Sequence, residues 1–277
     1  MIVAVVLTFN SDASIEKTLA ALEQVTKSIY VVDSFSTDGT KEICLSHGCQ
    51  FVQRPFSNYA DQRNWAIDQI LSEPWQLHVD ADEVLNDALI KTINKLDLNG
   101  SDCDGYIFLR RVVFMNKLLR YGGVSRTWHM RLFRSGKGRV EDRLYDQHFI
   151  CDGKVQILAG EMLDFQNMSL SEWTVRHNRW AEFEAAEVSK PTASTNLKLL
   201  GNYKGNVIER KRYLKEYYYK QPMFFRVIVY FLYRYVILLG FLDGVEGLIF
   251  HVLQGFWFRF LVDAKIYERA HRDIEKL

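Results

Sequence analysis

Along the first third of the chain, short uninterrupted apolar runs alternate with stretches in which apolar positions recur at helical spacing. Residues 2–7 form such a run, too short for a helix, and polar Thr8, Asn10, Ser11 and Asp12 follow it. This is the pattern of a buried parallel strand and the loop at its carboxyl end. Ile15, Leu19, Leu22 and Val25 then share a helical face, and residues 29–32 restore the strand pattern and stop at Asp33. Asp38-Gly39-Thr40 predicts a turn and a helix start running through His47, with Gly48 as its stop. Residues 51–52 give another short strand, 61–71 a helix, and 75–79 a strand that ends on Asp80-Ala81-Asp82-Glu83. Strands alternating with helices predict an α/β fold with a mixed, mostly parallel central sheet, whose ligands bind outside the carboxyl ends of the strands. From Gly105 the pattern changes to strands at 106–113 and 130–133, broken by Gly122-Gly123 and Gly136-Lys137-Gly138. Residues 170–188 read as a helix with Trp173, His177 and Trp180 on one face, where aromatic rings either pack in a core or stack on a sugar.

Composition narrows this picture. Hydrophobic residues make up 48% of the 277 positions and charged residues 25%, enough to bury a core and far from the signature of disorder. The 35 Lys+Arg against 34 Asp+Glu exclude a general polyanion binder, and no nucleic-acid partner is expected. Cys44, Cys49, Cys103 and Cys151 show no C-x-x-C spacing, which fits reduced thiols in a cytosol. Met1 leads straight into the first apolar run, which predicts neither a signal nor a transit peptide. The charge is balanced globally but not locally: residues 203–226 carry seven basic and two acidic side chains, interleaved with Tyr213, Tyr217, Tyr218 and Tyr219. Apolar runs at 227–242 and 245–262 come next, interrupted by Arg234, Glu246, His251, Gln254 and Arg259. A transmembrane helix needs about 20 largely apolar residues, so these runs predict helices lying in a membrane interface, the alternative being helices packed on the rest of the protein.

Asp80 and Asp82 are the sharpest chemical feature, since carboxylates at i and i+2 leaving a strand present oxygens to a hard divalent cation. Eighteen aspartates in this length produce about one Asp-x-Asp pair by chance, and a second pair exists at Asp102 and Asp104. Position separates them: the first comes after a buried strand, whereas the second lies beside Asn99-Gly100-Ser101, a solvated turn. Asp33, at the end of the second strand, is placed either to accept from the ring N–H of uracil, thymine or guanine or to close an Asx-turn within Asp33-Ser34-Phe35-Ser36. Arg63 lies one turn into its helix, within reach of a diphosphate above the sheet edge.

Four ordered pieces, Val6–Asn10, Val31–Thr40, Asp61–Asn64 and His78–Glu83, resemble the inverting family 2 glycosyltransferases with the GT-A fold, and most of all the bacterial branch that builds lipopolysaccharide cores and surface polysaccharides. The resemblance implies that Thr8, Phe9, Asn10 and Asp33 hold the base of a nucleotide-sugar donor, a UDP-sugar being favoured. It further implies that Arg63 lies near the phosphates, that Asp80 approaches the ribose with Ala81 in the same donor site, and that Asp82 binds Mn²⁺ or Mg²⁺; His148 is placed either to add a metal ligand or only to orient a neighbour. A catalytic domain over 1–200, with its nucleotide half near 1–100 and its acceptor half near 101–200, would precede a helical extension over 201–277. A single-displacement transfer also needs a base for the acceptor hydroxyl, and Glu141, Asp142 and Asp146 are the candidates, Asp146 being favoured because Arg139 and Arg143 stand beside the other two. The resemblance thus implies a peripheral enzyme on the cytoplasmic side of the inner membrane, acting on a glycan or lipid-linked saccharide. A sugar nucleotidyltransferase would also use paired carboxylates, but residues 8–14 lack the glycines and cations of its phosphate loop. An inactive membrane-bound scaffold is the remaining alternative.

Overall fold

The computed structural model describes residues 1–124, 127–143, 145–189 and 198–274; Leu144 of the base-candidate stretch and residues 275–277 of the expected extension lie outside the described residues. In chain order the first elements are β1 (Ile2–Thr8), α1 (Ile15–Leu22), β2 (Ser28–Asp33), α2 (Thr40–Ser46), β3 (Gln50–Gln53), α3 (Tyr59–Gln69) and β4 (Trp75–Asp80). They are followed by β5 (Glu83–Leu85), α4 (Asp87–Asn94), β6 (Gly105–Phe114), β7 (Lys117–Leu118), β8 (Thr127–Arg134), β9 (Gly138–Val140), β10 (Phe149–Cys151) and β11 (Val155–Gln166). Helices α5 (Leu170–Ser189), α6 (Val207–Tyr219), α7 (Phe225–Leu232), α8 (Gly244–Phe250) and α9 (Phe258–Ile274) complete the chain. Two compact units result, one of Met1–Val113, Arg126–Asp142 and Gln147–Gln166, the other of Phe114–Ser125, Arg143–Asp146 and Asn167–Leu277. The second compact unit thus takes in α5 and two short segments that precede it in the chain, along with the C-terminal helices. The reason is that Ala181 and Ala185 of α5 pack with Phe258 and Val262 of α9 in one buried cluster.

The first unit is built on a sheet of order β3-β2-β1-β4-β8-β6-β11-β5. Strands β1 to β4 pair in parallel, while β8 runs antiparallel to both β4 and β6, and β5 antiparallel to β11. This is the mixed, mostly parallel-cored α/β sheet that the apolar runs predict. Strand β1 is buried on both faces, and its alternation sends Ala4 and Val6 into a cluster with Ile15, Leu19 and Leu22 of α1. Val3 and Val5 point the other way, against Ala66 and Ile70.

Register is what positions the chemistry. Thr8 stands opposite Asp33, and Leu7 opposite Asp80, so three polar residues named from the sequence reach one edge of the parallel strands. The helix expected at 61–71 begins earlier, at Tyr59, because the side chain of Asn58 accepts from the Asp61 N–H at 2.9 Å and caps it. Helix α4 is N-capped in the same way by Asn86.

In the second unit the apolar run expected over 227–242 is not continuous. Helix α7 passes into a π-helical turn at Tyr233–Ile237, and Leu239 takes a left-handed conformation before a 3₁₀ turn at Gly240–Asp243. The chain then reverses into α8, a second π-helical stretch at His251–Trp257, and α9.

Candidate active site

The loops after β1 and β2 are laced together above the sheet edge. The Asn10 N–H donates to Ser36 Oγ at 2.8 Å, the Thr37 N–H to Asn10 Oδ1 at 2.9 Å, and the Ser11 N–H to Thr40 Oγ1 at 2.8 Å. Asn10 and Phe35 both take positive φ, which turns Phe9 and Phe35 outward; these rings are 59% and 51% exposed. Two exposed aromatic faces on a rigidly tied edge form a surface on which a planar base can stack.

Asp33 is fully buried, and its carboxylate accepts from the Ser36 N–H at 2.9 Å, from Gln53 Nε2 at 3.0 Å and from the Ser36 hydroxyl. The Asx-turn is therefore formed, and these bonds occupy the oxygens that a base would approach. Opposite it, the Thr8 side chain is buried and its hydroxyl has no hydrogen-bond partner among the described residues. A buried hydroxyl without a partner carries a desolvation cost that a ligand atom would relieve.

Farther along the edge lies a dense charge network. Arg63 meets Asp80 at 2.5 Å, and Arg131 contacts Asp80 at 3.2 Å and Glu83 at 2.7 Å. Arg110 contacts Glu83 at 3.1 Å and Asp164 at 2.5 Å. Burial works against ionisation of Asp80, but Arg63, Arg131 and Arg110 outweigh it and hold its carboxyl well below the usual range. Asp82 is the exception. Burial, then the charges of Asp164, Asp80 and Glu83, push it up to about 8, with Arg110 opposing. Four carboxylates thus face three guanidiniums, and Asp82 is the one without an ion-paired cation among the described residues. A carboxylate whose charge is resisted by its neighbours is matched by a divalent cation. Among the described residues no three His, Cys, Asp or Glu side chains form a ready ligand set, so the fit rests on Asp82 and this uncompensated charge.

The remaining sequence candidates separate. Glu141 is fully buried and accepts from the His148 N–H at 2.9 Å, with His148 Nδ1 at 3.1 Å, so His148 is engaged by that carboxylate. Asp142 is exposed. Arg139, expected to neutralise these two, instead reaches Asp68 at 2.6 Å, and Arg143 lies 3.7 Å from Glu187. Asp146, in the second unit, takes positive φ and pairs with Lys215 at 2.8 Å and Arg212 at 3.7 Å. Trp173 and His177, candidates for sugar stacking, are buried with their ring centroids 3.3 Å apart and belong to the core of the second unit. Asp102 and Asp104 are surface groups, Asp102 meeting Lys154 at 2.5 Å. Sequence reasoning passed over Arg110, Arg131 and Asp164. Each lies in a strand that carries other polar residues as well, so no local pattern singles it out, and only the pairing of the strands brings the three to one network.

The model of the family described as Glycosyl transferase family 2 matches residues 3–155. The chain is 26% identical over 277 aligned positions to the lipopolysaccharide core biosynthesis glycosyltransferase LpsC of Rhizobium meliloti (strain 1021), covering 96% of this chain and 92% of that one. An uncharacterized glycosyltransferase of Rickettsia bellii (strain RML369-C) is 36% identical over 86 residues, 31% of this chain and 29% of that one. Among solved structures, S. aureus TarS 1-349 in complex with UDP aligns with 98% of this chain and 91% of its own at 14% identity and a TM-score of 0.44.

Proposed function

We propose that this chain, which belongs to glycosyl transferase family 2, transfers a sugar from a nucleoside-diphosphate donor, UDP-linked, to a saccharide or lipid-linked saccharide in the assembly of a bacterial envelope glycan. The relation to a lipopolysaccharide core glycosyltransferase over nearly the full chain supports that acceptor class. It also supports a cytoplasm-facing, membrane-peripheral location.

The observation that carries the reading is the uncompensated carboxylate, Asp82, beside the Thr8 edge. The base stacks on Phe9 and Phe35, and the Thr8 hydroxyl gains a partner in the donor. Asp33 supports this by tying down the β2 loop rather than by contacting the base. Asp82 would hold Mn²⁺ or Mg²⁺, which supplies Lewis-acid stabilisation of the charge growing on the leaving diphosphate. Arg63 shapes the same end through Asp80. The acceptor hydroxyl attacks the anomeric carbon as the bond to the diphosphate breaks, its proton passes to a carboxylate, and the configuration inverts. Asp142 takes that role in preference to Asp146. Its carboxylate is exposed, whereas an ammonium and a guanidinium already flank Asp146.

The test is a thermal-shift panel of nucleoside diphosphates with and without Mn²⁺, since a ligand that binds only the folded state raises its melting temperature. UDP with Mn²⁺ should stabilise the protein and leave Asp82→Asn unmoved. Equal shifts in both proteins would remove Asp82 from the site. Asp142→Asn should lose at least about a hundredfold in turnover while keeping the UDP shift, which is the range for loss of a general base. Near-normal turnover would return the role to Glu141 or Asp146.

A further inference from the structure

The second unit carries a helical hairpin whose polarity is inverted. From Phe225 to Phe260 every exposed residue is aliphatic, aromatic or glycine. The charged residues of the same stretch lie inside or are paired: Arg226 is buried on Asp263 at 2.5 Å, and buried Asp243 accepts from the Arg120 and Tyr121 backbone N–H groups. Buried Arg234 donates to the Gly122 carbonyl at 2.9 Å, Glu246 meets Lys117 at 3.0 Å, and Arg259 meets Glu184 at 3.1 Å. A water-facing helix shows the reverse distribution.

The two arms run antiparallel. Arg226 meets Asp263 at the base, Phe231 packs on Phe256 with centroids 5.8 Å apart, and Arg234 bonds Gln254 nearer the tip. The tip is the turn between Ile237 and Val245, where Ile237, Leu239, Phe241, Leu242 and Val245 are 44–67% exposed. The turn is held by the loop at 117–122, where Asp243 accepts from the Arg120 and Tyr121 N–H groups and Glu246 pairs with Lys117, so cations stand at that end too, and the base adds more. Arg226 also donates to the Tyr219 and Gln221 carbonyls, which fixes the end of α6 there. That helix exposes Arg210, Lys211, Tyr213, Leu214, Glu216 and Tyr217, and exposed Lys220 follows it.

We propose that this hairpin embeds its apolar face in one leaflet of an anionic lipid bilayer and returns on the side it entered, with α6 at the headgroups. Phe225–Ile237 makes an arm of 13 residues, roughly 20 Å at 1.5 Å per residue. That is well short of the about 30 Å of a hydrocarbon core, and an arm tilted toward the surface stays within the half of it that one leaflet provides. The stretch Gly240–His271 is by length and composition alone able to cross. Its second half is committed elsewhere, however, with Phe258 and Val262 packed on α5 and Arg259 and Asp263 in ion pairs. Exposed cations at both ends of an exposed apolar face, with tyrosines on α6, give the gradation of an interface, which a second copy of the chain would not require.

The inference rests on the membrane-side location proposed above and not on the transfer chemistry. The test is flotation of the full chain with vesicles of phosphatidylethanolamine and phosphatidylglycerol, alongside the triple variant Ile237→Ser, Phe241→Ser, Leu242→Ser. The parent should float and resist stripping by molar salt, and the variant should lose at least about tenfold in partition while keeping the parent's circular dichroism and UDP response. In addition, Phe241→Trp should be quenched by lipids brominated in mid-chain. Three outcomes would overturn the inference: flotation that salt abolishes, a triple variant that floats like the parent, or a parent that ignores vesicles and whose self-association the triple variant abolishes.

Discussion

At the scale of single residues, Asp82 concentrates the consequences. Its carboxyl is pushed up to about 8 from an ordinary 3.8, burial being the first cause and the neighbouring carboxylates the second. Between those two values the folded protein holds a proton that the unfolded chain has released, so this group makes stability fall as pH rises from about 4 to about 8. The full penalty is present above that window and is on the order of a few kcal/mol. Asparagine has the shape without the charge. Ligand-free Asp82→Asn should therefore melt several degrees above the parent at pH 8, the gap closing toward pH 4, and a calorimetric pH series measures it. With UDP and Mn²⁺ the order should reverse. A parent as stable as the variant across the whole range would mean that the carboxylate is compensated within the protein. Other single residues divide between what sequence conveys and what it does not. That Asp33 and Asp80 each end a strand is legible in the apolar runs ahead of them; that the two strands flank β1 comes from the sheet order. That Asp33 spends its oxygens on Ser36 and Gln53, and Asp146 its own on Lys215, is not legible, because Gln53 and Lys215 lie 20 and 69 positions away and no local pattern links them.

At the scale of elements, the parallel strands and the first helices are readable because buried parallel strands are continuously apolar and helices repeat on one face. The antiparallel half is harder. Strand β11 runs twelve residues with irregular burial, and its place is set by pairing with β6 on one side and with β5 on the other, the latter at Met162, Leu163 and Asp164. That pairing brings Asp164 to the network, and β8 brings Arg131. The ionic cluster is thus a product of sheet assembly, and its members are coupled. Removing a cation from it leaves carboxylates buried without a partner. Arg131 is 6% exposed and Glu83 wholly buried, so Arg131→Met should destabilise the first unit by about 3 kcal/mol or more in denaturant titration. A loss below about 1 kcal/mol would show that Arg63 and Arg110 suffice for Asp80 and Glu83. The same logic explains why arginines appear in these strands: Arg110 and Arg131, with Arg63, hold the Asp80 carboxyl low at the edge where the donor is proposed to bind.

At the scale of the whole molecule, near-zero net charge conceals a division of labour. The acids of interest lie at the edge of a sheet in the first unit, while a run of cations lies on α6 in the second. In the membrane binding proposed above, an apolar hairpin and a basic helix would contribute in different ways, and ionic strength separates them. Insertion depends on apolar area and is indifferent to salt, whereas each exposed Lys or Arg adds up to about 1 kcal/mol on an anionic surface and is screened within a Debye length. Replacing Arg210, Lys211 and Lys220 with glutamine should therefore weaken binding to phosphatidylglycerol-containing vesicles by about tenfold at low salt, leave binding to zwitterionic vesicles unchanged, and flatten the salt dependence. Co-sedimentation across a salt series reads all three effects in one experiment. If the glutamine variant lost binding to both kinds of vesicle equally, α6 would be supporting the fold of the hairpin's base through the Arg226 contacts, and its charge would have no part in choosing the lipid.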